Sequence, residues 1–190
     1  MTVNNDVITY RIDNNDRITY IGGVWDSFAQ ENGGKNATVN NILGRSLWDF
    51  LEGEDVKRVY RLIVDEIRNK GKLKFSFRCD SPEFQRFYDL HCTKLANGEI
   101  EFASIPAGIT ARQTEVTDPH DPITDALLVA CSWCKRIRWP KVGWAETSGI
   151  PEFKAIFGEG HSRPLTHGIC DDCYGSVLTQ IRNPNGFATT

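Results

Sequence analysis

The sequence lacks a long apolar run, and none approaches the roughly 20 residues that a membrane-spanning helix needs. Its first residues, 1–6, also lack the basic and then apolar layout of a secretory signal. Neither sign of charge dominates, because the formal net charge is only −3, so nothing global attracts nucleic acid or an anionic membrane. These absences predict a cytoplasmic protein with no membrane partner.

Catalytic signatures are absent as well. The sequence has no G-x-S-x-G elbow, no phosphate-binding glycine loop and no H-E-x-x-H helix, and a histidine-kinase module would not fit beside its other segments. The sequence therefore predicts that the chain is not an enzyme. Its 190 residues, 40% of them hydrophobic and 25% charged, are typical of a soluble globular protein with one sizeable domain and a small appendage.

Cysteine, in contrast, is well represented. Four of the six cysteines form two C-x-x-C pairs, Cys131 with Cys134 and Cys170 with Cys173. In a reducing cytoplasm such pairs favour a metal over disulfides, and two pairs complete a tetrahedral shell of four thiolates. The sequence therefore predicts a structural Zn²⁺ site at these four residues.

Other chemistries compete for the same cysteines. Iron accepts the same four ligands, and a redox pair is a second alternative, although a redox C-x-x-C normally opens a helix after a strand. Neither pair is followed by histidine, which excludes covalent haem attachment. A closed shell of four thiolates also leaves no position for water, so metal-assisted hydrolysis is not expected.

His167 stands three residues before Cys170. It is predicted either to replace one cysteine as a ligand or to lie beside the site, where it would donate a hydrogen bond to a thiolate or a backbone carbonyl. The other two cysteines, Cys79 and Cys92, fall on the apolar faces of predicted strands. We expect them to be inert core residues.

Five segments carry strand signals. Residues 7–12 and 17–21 are rich in β-branched and aromatic side chains and flank the turn-forming residues 13–16, which predicts a hairpin. The three remaining segments are 72–79, 87–95 and 99–105.

The clearest helix lies between the hairpin and the last three strands. Its apolar residues recur on one face of a 3.6-residue period, at Val56, Val59, Tyr60, Ile63 and Ile67. Gly71 is expected to end it, and short helices are expected near 25–29 and 46–50. This order predicts an α+β fold, a five-stranded antiparallel sheet with helices on one face.

Residues 7–105 resemble a PAS domain, with a hairpin, a helical middle and a three-strand meander. The segment Leu-Gly-Arg-Ser-Leu-Trp-Asp-Phe at 43–50 is similar to a turn common in that family, and Ile12-Asp13 is similar to the usual end of its first strand. The resemblance implies a sensory fold that can enclose a small ligand and that pairs with a partner through its outer sheet face. The candidate cavity walls are Val59, Tyr60, Ile63, Phe75 and Phe77. A filled core at the same place is the competing expectation.

The predicted organisation has four parts. A PAS-like sensor domain spans 1–105, a linker rich in proline and polar residues spans 106–126, a four-cysteine module spans 127–183, and a disordered tail spans 184–190. We call residues 127–183 the C-terminal module. It resembles the cysteine-rich tails that follow PAS modules in bacterial signalling proteins.

The expected function is that of a non-enzymatic sensor or adaptor, whose zinc module mediates interaction with a protein partner or with a second copy through the sheet. The identity of any small-molecule ligand is left open. One alternative is a thiol-based redox or metal-responsive switch.

A nucleic-acid-binding transcriptional regulator is the other alternative, because Trp133, Trp139 and Trp144 interleave with basic residues. The zinc-loaded module is about neutral, however, since four thiolates and one Zn²⁺ offset its excess of basic side chains. Tryptophans packed over the metal site and onto the neighbouring domain are the plainer expectation.

Overall fold

The structure is a computed structural model that describes residues 7–31, 37–80, 84–111, 127–139, 143–146 and 165–183. The strands of the first part are β1 (Ile8–Ile12), β2 (Ile18–Gly23), β3 (Lys72–Arg78), β4 (Phe84–Lys94) and β5 (Ile100–Ala111). Those of the second are β6 (Leu128–Cys131), β7 (Ile137–Trp139), β8 (Gly143–Ala145) and β9 (Leu165–Gly168). The helices are α1 (Trp25–Glu31), α2 (Val39–Ile42), a 3₁₀ helix (Leu47–Phe50), α3 (Glu54–Lys70) and α4 (Asp171–Arg182).

The first five strands form one antiparallel sheet in the order β2-β1-β5-β4-β3. This confirms the predicted α+β class and the five-stranded antiparallel sheet. The turn between β1 and β2 is held by the Asp13 carboxylate, which accepts hydrogen bonds from the backbone of Asn15 and Arg17 at 2.8 and 2.9 Å. Asp16 takes a left-handed φ of 60°, which aspartate tolerates better than most residues.

Helix α3 covers the inner face of this sheet, where it packs on β3, β4 and β5. Four of the five residues of the predicted stripe are buried, and Tyr60 is half-buried. The helix ends at Gly71, whose left-handed φ of 88° suits glycine, so the predicted stop is confirmed. Ser46 caps the 3₁₀ helix by accepting a hydrogen bond from the Trp48 backbone at 3.4 Å.

The meander is longer than predicted. Strand β4 begins at Phe84 rather than at residue 87, and β5 runs to Ala111, so residues 106–111 are strand and not linker. The proline in this stretch is tolerated because a bulge interrupts the ladder there, with Tyr88 opposite Pro106 and Phe87 opposite Gly108. The rest of the predicted linker, 112–126, and the predicted tail, 184–190, lie outside the described residues.

The C-terminal module has a sheet of its own in the order β8-β7-β6-β9, which the sequence analysis did not predict. Strand β6 pairs in parallel with β9 and antiparallel with β7. Helix α4 buries Val177 and packs on β3 and α3.

One hydrophobic core joins the two parts of the chain. It includes Ile63 and Phe75 from the first part and Trp133 and Val177 from the C-terminal module. Within the part of the chain that the structure describes, no helix is both long and apolar enough to cross a membrane.

Gly53 marks where α3 meets the module. Its φ is 84°, and a Cβ there would lie 2.3 Å from the carbonyl oxygen of His167 in β9. Gly44 has a similar φ of 79° but open space around its Cβ position, which makes it a matched control.

We predict that Gly44→Ala lowers the free energy of unfolding by about 1–2 kcal/mol through backbone strain alone. Gly53→Ala should cost at least about 1 kcal/mol more because strand and helix must also separate.

Denaturant unfolding of both variants measures the two losses. Equal losses would show that the contact between Gly53 and β9 contributes nothing to stability.

Candidate metal centre

The first cysteine pair lies on a tight turn at the end of β6. The backbone N–H of Lys135 donates to the carbonyl of Cys131 at 3.0 Å, and the N–H of Cys131 donates to the carbonyl of Arg136 at 2.8 Å. Lys135 adopts a left-handed φ of 62°, which lets the chain reverse immediately after Cys134. The turn therefore directs both thiols of the pair to the same side.

The second pair lies at the start of α4. Cys170 is the residue before the first helical turn, and Cys173 belongs to that turn. The parallel pairing of β6 with β9 sets Cys131 opposite Gly168, two residues before Cys170. The backbone N–H of Cys170 then donates to the Cys131 sulfur at 3.4 Å. Sheet pairing is thus what brings the two distant pairs together.

All four sulfur atoms lie within 4.8 Å of one another. The Cys134 and Cys170 sulfurs are 3.7 Å apart, close to the separation of about 3.8 Å that a tetrahedral shell with zinc–sulfur bonds of about 2.3 Å requires. Cys131 and Cys170 are buried, whereas Cys134 and Cys173 are half-buried. The four cysteines that the sequence singled out can therefore hold a metal ion.

Arg136 is a site residue that the sequence analysis missed. Its Nε donates to the Cys134 sulfur at 3.2 Å, and its Nη2 donates to the Cys170 sulfur at 3.4 Å. The same Nη2 lies 2.8 Å from an Asp172 carboxylate oxygen. In the nucleic-acid alternative, Arg136 is one of the basic residues that interleave with the tryptophans. Only its position two residues after the second cysteine hinted that its guanidinium could reach the sulfurs.

The thiols of this group differ in their pKa values. Hydrogen bonds from the Cys131 and Cys173 thiols, aided by Arg136, hold the pKa of Cys134 well below its usual range. Burial raises the pKa of Cys170 to about 11. Four thiolates this close repel one another, and a divalent cation at their centre offsets that repulsion. The donor set therefore fits a cation that prefers soft sulfur ligands.

His167 does not belong to this cluster. Among the described residues, the group with ligand atoms close enough to share an ion consists of the four cysteines. The His167 Nδ1 atom lies 2.9 Å from a Glu52 carboxylate oxygen instead. The structure thus pairs His167 with a carboxylate, through the docking of β9 beside the loop that precedes α3, and spacing along the chain does not reveal that contact. Its predicted role as a ligand in place of one cysteine, or as a hydrogen-bond donor to a thiolate or a backbone carbonyl, stays a prediction.

The predicted cavity walls divide into two groups. Tyr60, Phe75 and Phe77 line a cavity of about 340 Å³, open on one side, whereas Val59 and Ile63 are buried in the core and are not among its lining residues. Trp133 forms another wall of the same cavity. It comes from the turn between Cys131 and Cys134.

The two cysteines outside the metal cluster differ from each other. Cys92 is fully buried, and burial raises its pKa well above the usual value, in keeping with an inert core thiol. Cys79 is half-buried and lies one residue beyond the end of β3, so the predicted strand position is wrong for it. The buried residue at the end of that strand is Arg78.

No protein-family model matches the chain, and no curated protein is significantly similar to it. The family assignment therefore stays a prediction.

We predict that Cys173→Ser abolishes stoichiometric metal binding, because a hydroxyl is a poor substitute for one thiolate in a four-sulfur shell. Cys79→Ser, which changes a thiol outside the cluster in the same way, should retain about one ion per chain. Elemental analysis of the purified variants measures the ratio. A Cys173→Ser protein with full metal content would contradict the assigned shell.

A second prediction concerns Arg136. Arg136→Ala removes both hydrogen bonds to sulfur, so metal should transfer to a competing chelator about 10–100 times more readily. Arg138→Ala is the matched control, because Arg138 is exposed on β7 and both substitutions remove one positive charge. Chelator competition followed by absorbance measures the transfer, and equal behaviour of the two variants would refute the role of Arg136.

Proposed function

We propose that the protein is a non-enzymatic sensor or adaptor, in which a PAS-like domain is coupled to a structural zinc module that mediates interaction with a protein partner. The observation that carries the proposal is the position of Trp133. Its ring lies 5.7 Å from that of Tyr60 and 6.5 Å from that of Phe75, measured between centroids. A residue between two metal ligands is thus also part of the first domain's core.

The arrangement of the first part supports the PAS-like proposal. Its hairpin, helical middle and three-strand meander form one antiparallel sheet with α3 on the inner face, as the resemblance implies. The outer face of the sheet carries polar side chains such as Arg11, which forms an ion pair with Glu101 at 2.7 Å. That face is where a partner or a second copy would bind.

Zinc is the ion we propose, in a structural role. Two C-x-x-C pairs that close a tetrahedral sulfur shell are typical of structural zinc, and the module's strands of three or four residues are too short to bury a core alone. The metal would hold the turn that carries Trp133 in place. A signal at either the metal or the domain would thereby shift the population of docked modules.

The redox switch is a second candidate that one distance favours. Loss of the metal would leave the Cys134 and Cys170 sulfurs, now 3.7 Å apart, close enough for a mild oxidant such as peroxide, which takes up the two electrons, to join them as a disulfide after a small movement. The nucleic-acid alternative is less well supported, because the Arg136 guanidinium is engaged by sulfur and by Asp172 instead of being free for phosphate.

The coupling predicts a specific effect of metal removal. Chelation of the loaded protein should speed amide hydrogen exchange in β3 and in residues 54–63 of α3, because Phe75 and Tyr60 in these segments pack against Trp133, as well as in the module itself. The β1–β2 hairpin should keep its protection and serves as the internal control. Exchange measured by mass spectrometry resolves these segments. Unchanged protection in β3 would contradict the proposed coupling between the metal site and the first domain.

A further inference from the structure

The cavity of about 340 Å³ has walls from both parts of the chain. The first domain contributes the inner face of its sheet and the beginning of α3, and the C-terminal module contributes Ser132, Trp133 and His167. Its volume is at the lower end of the range of about 300–1,000 Å³ found for small-molecule sites. This space is therefore large enough for a compact ligand but not for a large cofactor.

Aromatic rings dominate the walls. Phe75 is fully buried and Trp133 is only 7% exposed, with their planes at 86° to each other. Tyr60 is tilted by 58° to Trp133, and Tyr10 is stacked on Phe102 at 4.7 Å, which fixes its ring. Rings at such angles can contact a planar ligand with both their faces and their edges. These stacked and edge-to-face contacts favour a ligand with a planar π system.

The uncharged polar side chains among the lining residues are four hydroxyl residues and one indole. The hydroxyls belong to Tyr10, Tyr60, Ser104 and Ser132, and the indole N–H belongs to Trp133. Burial raises the pKa of Tyr60 to about 12, so its hydroxyl keeps its proton and remains a donor at neutral pH. Hydroxyls both donate and accept, so they suit a ligand with an uncharged polar substituent.

Charge is confined to the mouth of the cavity. Among the lining residues the ionisable pair is Glu52 with His167, whose side chains are 71% and 39% exposed and 2.9 Å apart. Because no lining Lys or Arg is present to balance an anion, burying one among these rings would carry a large desolvation cost. The interior therefore selects against charged molecules.

We propose that this cavity binds a small, uncharged, planar aromatic molecule with one hydrogen-bonding substituent, of about the size of a two-ring compound. The site rests on the proposed function in one respect, since Trp133 forms a wall only while the metal holds its turn.

The test uses 2-naphthol as the probe and isothermal titration calorimetry of the full, metal-loaded chain. The expected result is one site per chain that binds 2-naphthol at least tenfold more tightly than naphthalene-2-sulfonate, which has the same rings and a negative charge. Ser104→Trp should weaken 2-naphthol binding at least tenfold by filling the cavity. Ser104→Leu fills less of it and is measured beside Ser104→Trp in case the larger residue prevents folding.

Ile109→Ser is the control, because Ile109 is 48% exposed and does not line the cavity. It should bind the probe as the unsubstituted chain does. Absence of binding by the loaded chain, equal affinity for the sulfonate, or an equal loss in Ile109→Ser would each overturn the proposal.

Metal content is measured on every sample. A loaded chain that does not bind 2-naphthol refutes this site and leaves the zinc proposal standing. A chain that carries no metal yet binds the probe refutes the zinc proposal, together with the dependence of the Trp133 wall on the metal, and leaves the ligand site standing.

Discussion

The docking of the C-terminal module on the first part of the chain depends on the burial of one side chain, that of Trp133. It projects from the turn between two cysteines of the metal centre and is buried against Tyr60 of α3 and Phe75 of β3. A tryptophan buries about 150–250 Å² when it is enclosed, which is worth on the order of 4–6 kcal/mol at about 25 cal/mol per Å². The strands of the C-terminal module bury only a small cluster of their own, Leu128, Ala130 and Ile137, so the Trp133 contact stabilises the docking of the module on the first part.

A second contact fixes the orientation of the docked module. The backbone N–H of Arg78, at the end of β3, donates to the carbonyl of Trp133 at 2.8 Å. Arg78, a residue that is only 8% exposed, pairs through its side chain with Glu146 of the module at 2.8 Å and with Asp80. In an orientation that removed Glu146, the buried guanidinium would keep Asp80 as its remaining carboxylate partner, so the arrangement penalises other orientations.

The candidate metal centre and the cavity are thus both formed in part by one turn, residues 131–134. On one side, Cys131 and Cys134 face the other two sulfurs. On the other side, Trp133 closes a space lined by the domain's aromatic rings. In the proposed sensor, a change in metal occupancy would therefore act directly on a residue that lines the cavity, without a long chain of intermediate contacts.

Local patterns in the sequence predict most elements of the first part and single out the four cysteines that could hold a metal, but they do not predict the sheet of the C-terminal module. The period of α3, the turn residues of the β1–β2 hairpin and the spacing of the cysteine pairs are local patterns, and local patterns reflect backbone sterics and side-chain reach. Tertiary structure decided the rest. The pairing of His167 with Glu52, the turn of Arg136 toward sulfur and the burial of Arg78 depend on how β9 and the cysteine turn dock on α3 and β3. These contacts join residues from different segments, up to 115 positions apart for His167 and Glu52, and the periodicity of one segment does not encode its contact with another.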